Sequence, residues 1–482
     1  KNYKVTVKLG KYKRAKNVVC IEGDVLDPLQ HSIPTINGIP DVDMMPENYV
    51  MGDGNAKYTL SKAQYKETIT NTFLKTVSAF ANYDGGAIYV NGTNAHISAD
   101  FAYCNASSVD TPNIKGNGGA IYVNGTDTNV YDSTFLNCTA MNDGYGGAIY
   151  IEGLNTLVQN SKFENTWTSD NGLGGAIYVE GSNATVDTSE FNNCHAREGG
   201  AIYIEGINTT VTDSKFTNTN VGKACEWNGA TYGNTGGYIS PIAGDGGAIY
   251  INGSDCILNH TVFRDNIAHD DGGAIAWYGQ NGIIDDLNAS GNTADGENGN
   301  PSGGTLLITG NDISMDMLNI SNSRLYKDGG DKPLRGGAIF LTGNNCNITN
   351  SVFTNCSVVY YKDDSNASGG ALYIWGNNTN VINCNFTKNS AVLGAGAIYI
   401  EGSNTFMDNC NVLNNSAKDG AGIWIFGKEN TINNTNISYN KASNNGGGVY
   451  YQGNNNTVSY SIIDHNTAKN GANVYMVANM VG

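Results

Sequence analysis

The residues of this 482-residue chain whose types could do chemistry are scattered carboxylates, a few histidines and very few arginines. Asp270, Asp271, Asp285, Asp286 and Asp316 gather loosely within one stretch, with Arg335 further on. Paired carboxylates are the apparatus of glycoside cleavage, one protonating the leaving oxygen while the other acts as base or nucleophile. His195, His260, His269 and His465 fall at unrelated positions and do not join them in one constellation. Glu152, Glu180 and Glu205 recur at near-constant spacing. Carboxylate oxygens of this kind suit calcium, but no EF-hand or glycine-aspartate nonapeptide accompanies them. The expectation is a solvated acidic face and no cofactor, with calcium as the alternative. The ten cysteines contain no CxxC, which argues against a zinc ribbon.

Composition narrows the classes that could carry this chemistry. Glycine is 62 residues, asparagine 70, proline only 8, and charged residues are 15%. Sparse helix formers with abundant Gly, Asn and Tyr predict an all-β chain with many turns. The 40% hydrophobic fraction is enough for a long core. A net charge of −17 argues against nucleic acid as partner. No apolar run is long enough to span a membrane. The charge is uneven: Lys1, Lys4, Lys8, Lys11, Lys13, Arg14 and Lys16 precede the first acid, Glu22, so a basic arm leads an acidic body.

A repeat organises everything after residue 84. Gly-Gly-Ala-Ile-Tyr and its variants recur, with the aromatic position at Tyr89, Tyr122, Tyr150, Tyr178, Tyr203, Tyr250, Ala276, Leu307, Phe340, Tyr373, Tyr399, Trp424, Tyr450 and Tyr475. The shortest spacing is 25, with upward excursions, as a fixed unit that tolerates insertions would give. Glycine follows three residues later in every copy but the last, from Gly92 to Gly453, where the backbone needs positive φ or has no room for a Cβ. A second signature pairs an apolar residue with a small polar one three positions on, as in Phe135/Cys138, Phe191/Cys194, Phe353/Cys356 and Phe386/Asn389. A unit of this length fits three short strands and three bends but no strand with a covering helix. It predicts an all-β fold: a right-handed single-stranded parallel β-helix (solenoid) of about 14 coils with an N-terminal cap. Strand alternation turns the isoleucines of Ile149-Tyr150-Ile151-Glu152 inward and the tyrosine and glutamate outward. Corner asparagines and cysteines then stack as small-polar ladders satisfying buried backbone. Cys104/Cys138 and Cys384/Cys410 are equivalent in adjacent coils, but their Cβ vectors run side by side, so free thiols are expected over disulfides.

The paired Gly-Gly-Ala-Ile and Phe-x-x-Asn motifs resemble those of the polymorphic outer-membrane proteins. The Asn-rich filling is more similar to the adhesin-like surface proteins of methanogenic archaea. The resemblance spans Tyr83 to Gly482 and implies a right-handed β-helix displayed at the cell surface.

The domains expected are a basic arm, hairpin and cap over 1–48, a degenerate leading coil or cap helix over 49–84, and the β-helix over 85–482. Val5, Val7 and Leu9 with Val18 and Val19 suggest a hairpin around Gly10; Tyr49-Val50-Met51-Gly52 suggests the leading coil. Ile69, Phe73, Val77 and Phe80 fit either a capping helix or a coil return. Insertions at 107–117, 219–245, 292–302, 324–335 and 358–368 all sit just before a Gly-Gly and would rim one face, where loops on a scaffold place binding residues.

That face carries the outward aromatic ladder, so the candidate carbohydrate-binding residues are Tyr150, Tyr178, Tyr203, Tyr250, Tyr278, Tyr373, Trp375, Tyr399, Trp424 and Phe426. The competing reading is that aligned rings merely pack on each other. The basic arm (Lys1, Lys4, Lys8, Lys11, Lys13, Arg14, Lys16) and the final strand (Val474, Tyr475, Val477) are candidates for head-to-tail self-assembly. Asn91, Asn124, Asn137, Asn183, Asn208, Asn252, Asn366 and Asn377 lie in sequons open to glycosylation if the chain is exported. The function expected is extracellular surface attachment to carbohydrate or another cell's surface, or filament building, without enzymatic activity. The alternative is a lyase or hydrolase acting on acidic glycans.

Overall fold

A strand three residues long is too short to be stable alone, so each coil of this chain holds only because the next coil hydrogen-bonds to it in register. The computed structural model describes residues 84–106, 116–169, 171–222, 244–296, 301–327, 333–360 and 367–477, together with short strands outside those spans. In one coil the strands are Ile149–Ile151, Leu157–Gln159, Lys162–Glu164 and Trp167–Thr168. The coil therefore carries four strands rather than the expected three. The two in the middle belong to one sheet and are separated by a bend at Asn160, whose φ is +48°. Identical positions pair between coils: Ile121 with Ile149, Tyr122 with Tyr150, Val123 with Ile151, all parallel. This is a right-handed parallel β-helix, and all fourteen aromatic-position residues of the repeat fall in the strand that carries the Gly-Gly signature.

The chain divides into two compact units, Lys1–Lys215 with Ala224–Gly237, and Phe216–Lys223 with Tyr238–Gly482. Each is a stack of such coils. In the first, Ile149 and Ile151 are fully buried while Glu152 is exposed, as alternation predicts. Phe101, Phe135, Phe163 and Phe191 form a face-to-face pile inside, with ring centroids 4.6–4.9 Å apart. In the second, Phe353 stacks on Phe386 at 4.8 Å. Each fully buried phenylalanine or isoleucine contributes about 1.5–3 kcal/mol.

Polar residues at the corners are structural. Asn155, Asn160 and Asn165 all have φ near +50°, a conformation asparagine tolerates better than other side chains. Their amides form ladders: Asn183 Nδ2 donates to Asn155 Oδ1 at 3.0 Å, and Asn208 Nδ2 to Asn183 Oδ1 at 2.8 Å. After the phenylalanine, cysteine and asparagine do the same job. Cys194 Sγ lies 3.9 Å from Phe163 O, and Asn389 Nδ2 donates to Phe353 O at 3.1 Å. The two readings of the glycine corner separate cleanly: φ is positive only at Gly453 among these glycines, and elsewhere the constraint is space. A Cβ on Gly153 would lie 1.7 Å from Gly125 O.

The amino-terminal readings are corrected. Tyr3–Val5 pairs in parallel with Ala95–Ile97, and Val19–Glu22 with Ile88–Asn91, so the two segments extend two sheets and make no hairpin. The phrase at Tyr49 lies outside the described residues; the strand beside that of the first repeat is Val19–Glu22. Its signal was present in the sequence, since Gly23 follows Cys20 by three residues. The pairing of Tyr3–Val5 also engages part of the basic arm within its own chain. Phe80–Ala81 is a strand paired with Asn105–Ala106. Residues 51–79, and with them the rest of the helix-or-return alternative, lie outside the described residues, as do the side chains of Lys1–Lys16. Among the described residues no helix is long and apolar enough to cross a membrane.

Replacing Gly153 by Ala should cost about 2–3 kcal/mol through backbone displacement in two coils, measured as a lowered denaturation midpoint. Among the described residues eight cysteines are buried and form no disulfide with one another, Cys138, Cys384 and Cys410 among them. Burial pushes the Cys194 and Cys356 thiols up to about 12 and Cys346 to about 11. Raised folded-state values favour the neutral thiol. That stability is complete below the unfolded value near 8.5 and is lost as pH climbs through the folded values. Iodoacetamide at pH 8 should leave these three thiols unlabelled in native protein and label them in guanidinium, by mass spectrometry.

Candidate functional site

The aromatic ladder is where structure and sequence part most. Its rings stack instead of lying open. In the first unit Tyr89, Tyr122, Tyr150, Tyr178 and Tyr203 follow one another with centroids 4.8–5.2 Å apart. Tyr150, Tyr178 and Tyr203 are each less than one-tenth exposed, so these three candidate binding residues present no platform. Tyr145, one residue before a Gly-Gly, adds a ring over Tyr178 at 4.8 Å. The glutamate column explains the hydroxyls. Tyr122 Oη donates to Glu152 Oε2 at 2.6 Å, and in the same way Tyr150 donates to Glu180 and Tyr178 to Glu205. Burial first, then the accepting carboxylate, pushes these phenols far above their ordinary value. Glu152, Glu180 and Glu205 are thus hydrogen-bond acceptors for the preceding coil's tyrosines. Among the described residues no group of three or more His, Cys, Asp or Glu side chains is placed to hold a metal ion.

The second unit breaks the pattern and opens a groove of about 460 Å³. Its floor is Tyr373, Tyr399 and Trp424, with centroids 4.6 and 5.5 Å apart, and Trp424 stacks at 4.0 Å on Tyr450. One wall is the column just before Gly-Gly, with Arg335, Ser368 and Asp419; the other is Glu401, Phe426 and Gln452. The column has a gap at Gly394, bridged on either side by Ser368 and Asp419. A Cβ at Gly394 would come 2.8 Å from the Trp424 ring, so glycine there is what lets the indole occupy its place.

Charge in the groove is bipolar. Arg335 Cζ lies 4.8 Å from the Trp375 ring centre and 5.6 Å from that of Tyr373, contacts that hold a guanidinium flat against aromatic faces. Toward the other end, Tyr373 Oη donates to Glu401, and Asp419 Oδ1 accepts from Asn445 N at 2.9 Å and Asn444 Nδ2 at 3.0 Å. On two groove residues one donor atom, Arg335 Nε and Trp424 Nε1, is buried without an acceptor. Trp375 and Phe426 are 47% and 44% exposed, whereas Tyr250, Tyr278 and Tyr399 are half-buried and Tyr373 is buried.

The scattered aspartates resolve into separate places. Asp271 N donates to Asp245 Oδ1 at 3.1 Å, and Tyr278 Oη to Asp245 Oδ2 at 2.8 Å; His269 pairs with Asp295. Burial, then Asp245 and Asp270, pushes the Asp271 carboxyl well above the usual carboxylate range. Asp285 sits instead on another sheet in register with Asp316, which accepts from Thr349 Oγ1 at 2.6 Å, and Asp286 faces His260 at 3.3 Å. Sequence reasoning missed Asp245, Ser368, Gly394, Glu401 and Asp419 as groove or cluster members. Alignment of the residue just before each Gly-Gly would have placed all but Glu401 in one column.

Of the sequon asparagines, Asn91, Asn124, Asn183, Asn208, Asn252 and Asn377 are exposed and Asn137 is half-buried; Asn366 lies outside the described residues. Val474, at 43%, is exposed, and Tyr475 and Val477 are half-buried.

Residues 304–480 match a family model described as a right handed beta helix region. No curated protein matches the chain. Among solved structures, the chain is similar to a mutant tailspike protein of E. coli bacteriophage HK620 in complex with a hexasaccharide. That match has 9% identity and a TM-score of 0.38, covering 84% of this chain and 71% of that one. PfbA, a surface adhesin of Streptococcus pneumoniae, is similar at 12% identity and TM-score 0.30, over 78% and 84%. The A-module of the Azotobacter vinelandii mannuronan C-5 epimerase AlgE6 is similar at 11% and 0.29, over 82% and 92%. These likenesses concern the fold. The epimerase is an enzyme by name, which corrects the expectation that this chain has no enzymatic activity; no activity of this chain follows from a likeness of fold.

Because Asp271 holds its proton more tightly when folded, its contribution is complete below about pH 4 and is lost as pH rises. Asp271→Asn should therefore raise the melting temperature at pH 7 and leave it unchanged at pH 3.5, by calorimetry.

Proposed function

We propose that this chain is a surface-attachment protein, adhesin-like, that binds carbohydrate in the groove floored by Tyr373, Tyr399 and Trp424. The observation that carries the reading is a groove that combines stacked rings with a guanidinium and carboxylates along its walls. A sugar ring packs its apolar face on Tyr399 or Trp424 while polar walls meet its hydroxyls. In the first unit Tyr150, Tyr178 and Tyr203 are covered and the hydroxyls of Tyr122, Tyr150 and Tyr178 are given to glutamates, whereas the groove adds the exposed rings of Phe426 and, beside Arg335, Trp375. Extracellular placement follows from the same reading together with the exposed sequons.

A second reading, cleavage of the bound glycan, is favoured by one observation: Asp271, whose carboxyl burial pushes well above the usual carboxylate range, lies beside Asp245 in the same unit, and a pair of acids is the apparatus of glycoside chemistry.

Trp375→Ala and Phe426→Ala remove exposed rings and should leave circular dichroism unchanged while weakening retention on a glycan array about tenfold, the equivalent of 1.4 kcal/mol. Unchanged retention in both variants would discard the groove. Release of reducing or unsaturated sugar from a bound polysaccharide, lost in Asp271→Asn, would establish cleavage; its absence across an acidic and neutral panel would remove that reading.

A further inference from the structure

Coils in a parallel β-helix repeat at about 4.8 Å, and a sugar in an extended β-linked polysaccharide advances by a similar step. A glycan lying across the coils therefore meets roughly one coil per sugar. The floor has this spacing, with Tyr373, Tyr399 and Trp424 at 4.6 and 5.5 Å. The groove's polar groups are then fixed sugar by sugar. Arg335 belongs to the coil of Phe340, Ser368 to that of Tyr373, Gly394 to that of Tyr399 and Asp419 to that of Trp424. Arg335 and Asp419 are three steps apart, about 14 Å at that rise.

Resting on the carbohydrate reading above, we infer that the groove selects a glycan in which an acidic sugar is flanked by neutral ones, its carboxylate on Arg335 and the neutral units over Tyr399 and Trp424. Among the described residues Arg335 is the cation lining the groove, and it lies over the rings of Trp375, Tyr373 and Phe340. A carboxylate is the group whose two oxygens match the paired donors of a guanidinium. The far end is built the opposite way. Glu401 and Asp419 accept hydrogen bonds and would take sugar hydroxyls, but they repel a second carboxylate. The gap at Gly394 leaves the sugar between them without a charged neighbour in that column. A homopolymer of uronic acids would set an acid group against Asp419, and a wholly neutral chain would leave Arg335 unmet. The polarity also orients the chain, acidic unit toward Phe340.

The test is calorimetric binding of three hexasaccharides to the full chain: hyaluronan, which alternates uronate with N-acetylhexosamine, polygalacturonate, and the neutral chitohexaose. Hyaluronan should bind at least tenfold more tightly than the other two. Arg335→Gln should remove that advantage and leave chitohexaose unchanged, Arg335→Lys should restore part of it, and Asp419→Asn should improve polygalacturonate. Melting curves of each variant check the fold, and the comparison among the three wild-type affinities stands without any variant. Equal wild-type affinity for hyaluronan and chitohexaose, or polygalacturonate binding best, would overturn the inference. If chitohexaose binding is lost in Phe426→Ala while Arg335→Gln changes nothing, the carbohydrate groove survives and the acidic selectivity falls. No binding of any probe would remove both.

Discussion

The close approach of one coil's backbone to the next governs this molecule. Strands of three residues gain almost nothing by themselves, and their hydrogen bonds all run to neighbouring coils, as from Ile149 N to Ala176 O at 2.9 Å. That spacing leaves no volume for a side chain where the corners cross. At Gly125, Gly153 and Gly181 the carbonyl of the preceding coil stands where a Cβ would be. The glycines are therefore a consequence of stacking, and conformational freedom has little to do with it. Positive φ is needed elsewhere, at the first glycine of the repeat's Gly-Gly, as at Gly146 with φ +65°, and at corners made by asparagine and aspartate, whose short side chains tolerate the conformation and bond to the equivalent residue one coil away.

In-register stacking also converts each position of the repeat into a column, and every column must satisfy itself. Phenylalanines pile ring on ring. Asparagine and cysteine cap the carbonyls behind them. Tyrosines stack and hand their hydroxyls to the glutamate of the next coil. A column in which each residue serves its neighbour has nothing left for a ligand, and this holds for the aromatic face of the first unit. Side chains without a partner in the stack appear where periodicity fails. In the second unit a glycine replaces a larger residue at Gly394, an arginine enters at Arg335, and tryptophan takes the tyrosine place at Trp424. There the side chains outnumber the partners that the stack supplies, and Arg335 Nε and Trp424 Nε1 are left unmet.

The same logic separates the two kinds of carboxylate. Asp316 and Asp408 sit in ladders, accepting from side chains in adjacent coils. Asp271 is held beside Asp245 with burial working against its charge. Burial beside a like charge makes a carboxyl hold its proton more tightly.

The period, the inward isoleucines, the phenylalanine pile, the corner ladders and the free thiols were legible in the chain itself. Each follows from a residue type repeated at one spacing, and repetition in sequence becomes superposition in space once the coils stack. The leading strand at Val19–Glu22 was legible too, through Gly23, but a single distant copy carries little weight against a nearer phrase. What only the tertiary structure decided was exposure. Alternation correctly turned Tyr150, Tyr178 and Tyr203 away from the core, yet whether an outward ring meets water depends on the rings above and below it and on Tyr145 beside it. Likewise Arg335, Gly394 and Asp419 lie scores of residues apart in the chain. They become walls of one groove because insertions lengthen the sequence between coils without changing the rise between them, so nearness in space is set by coil number and not by residue number.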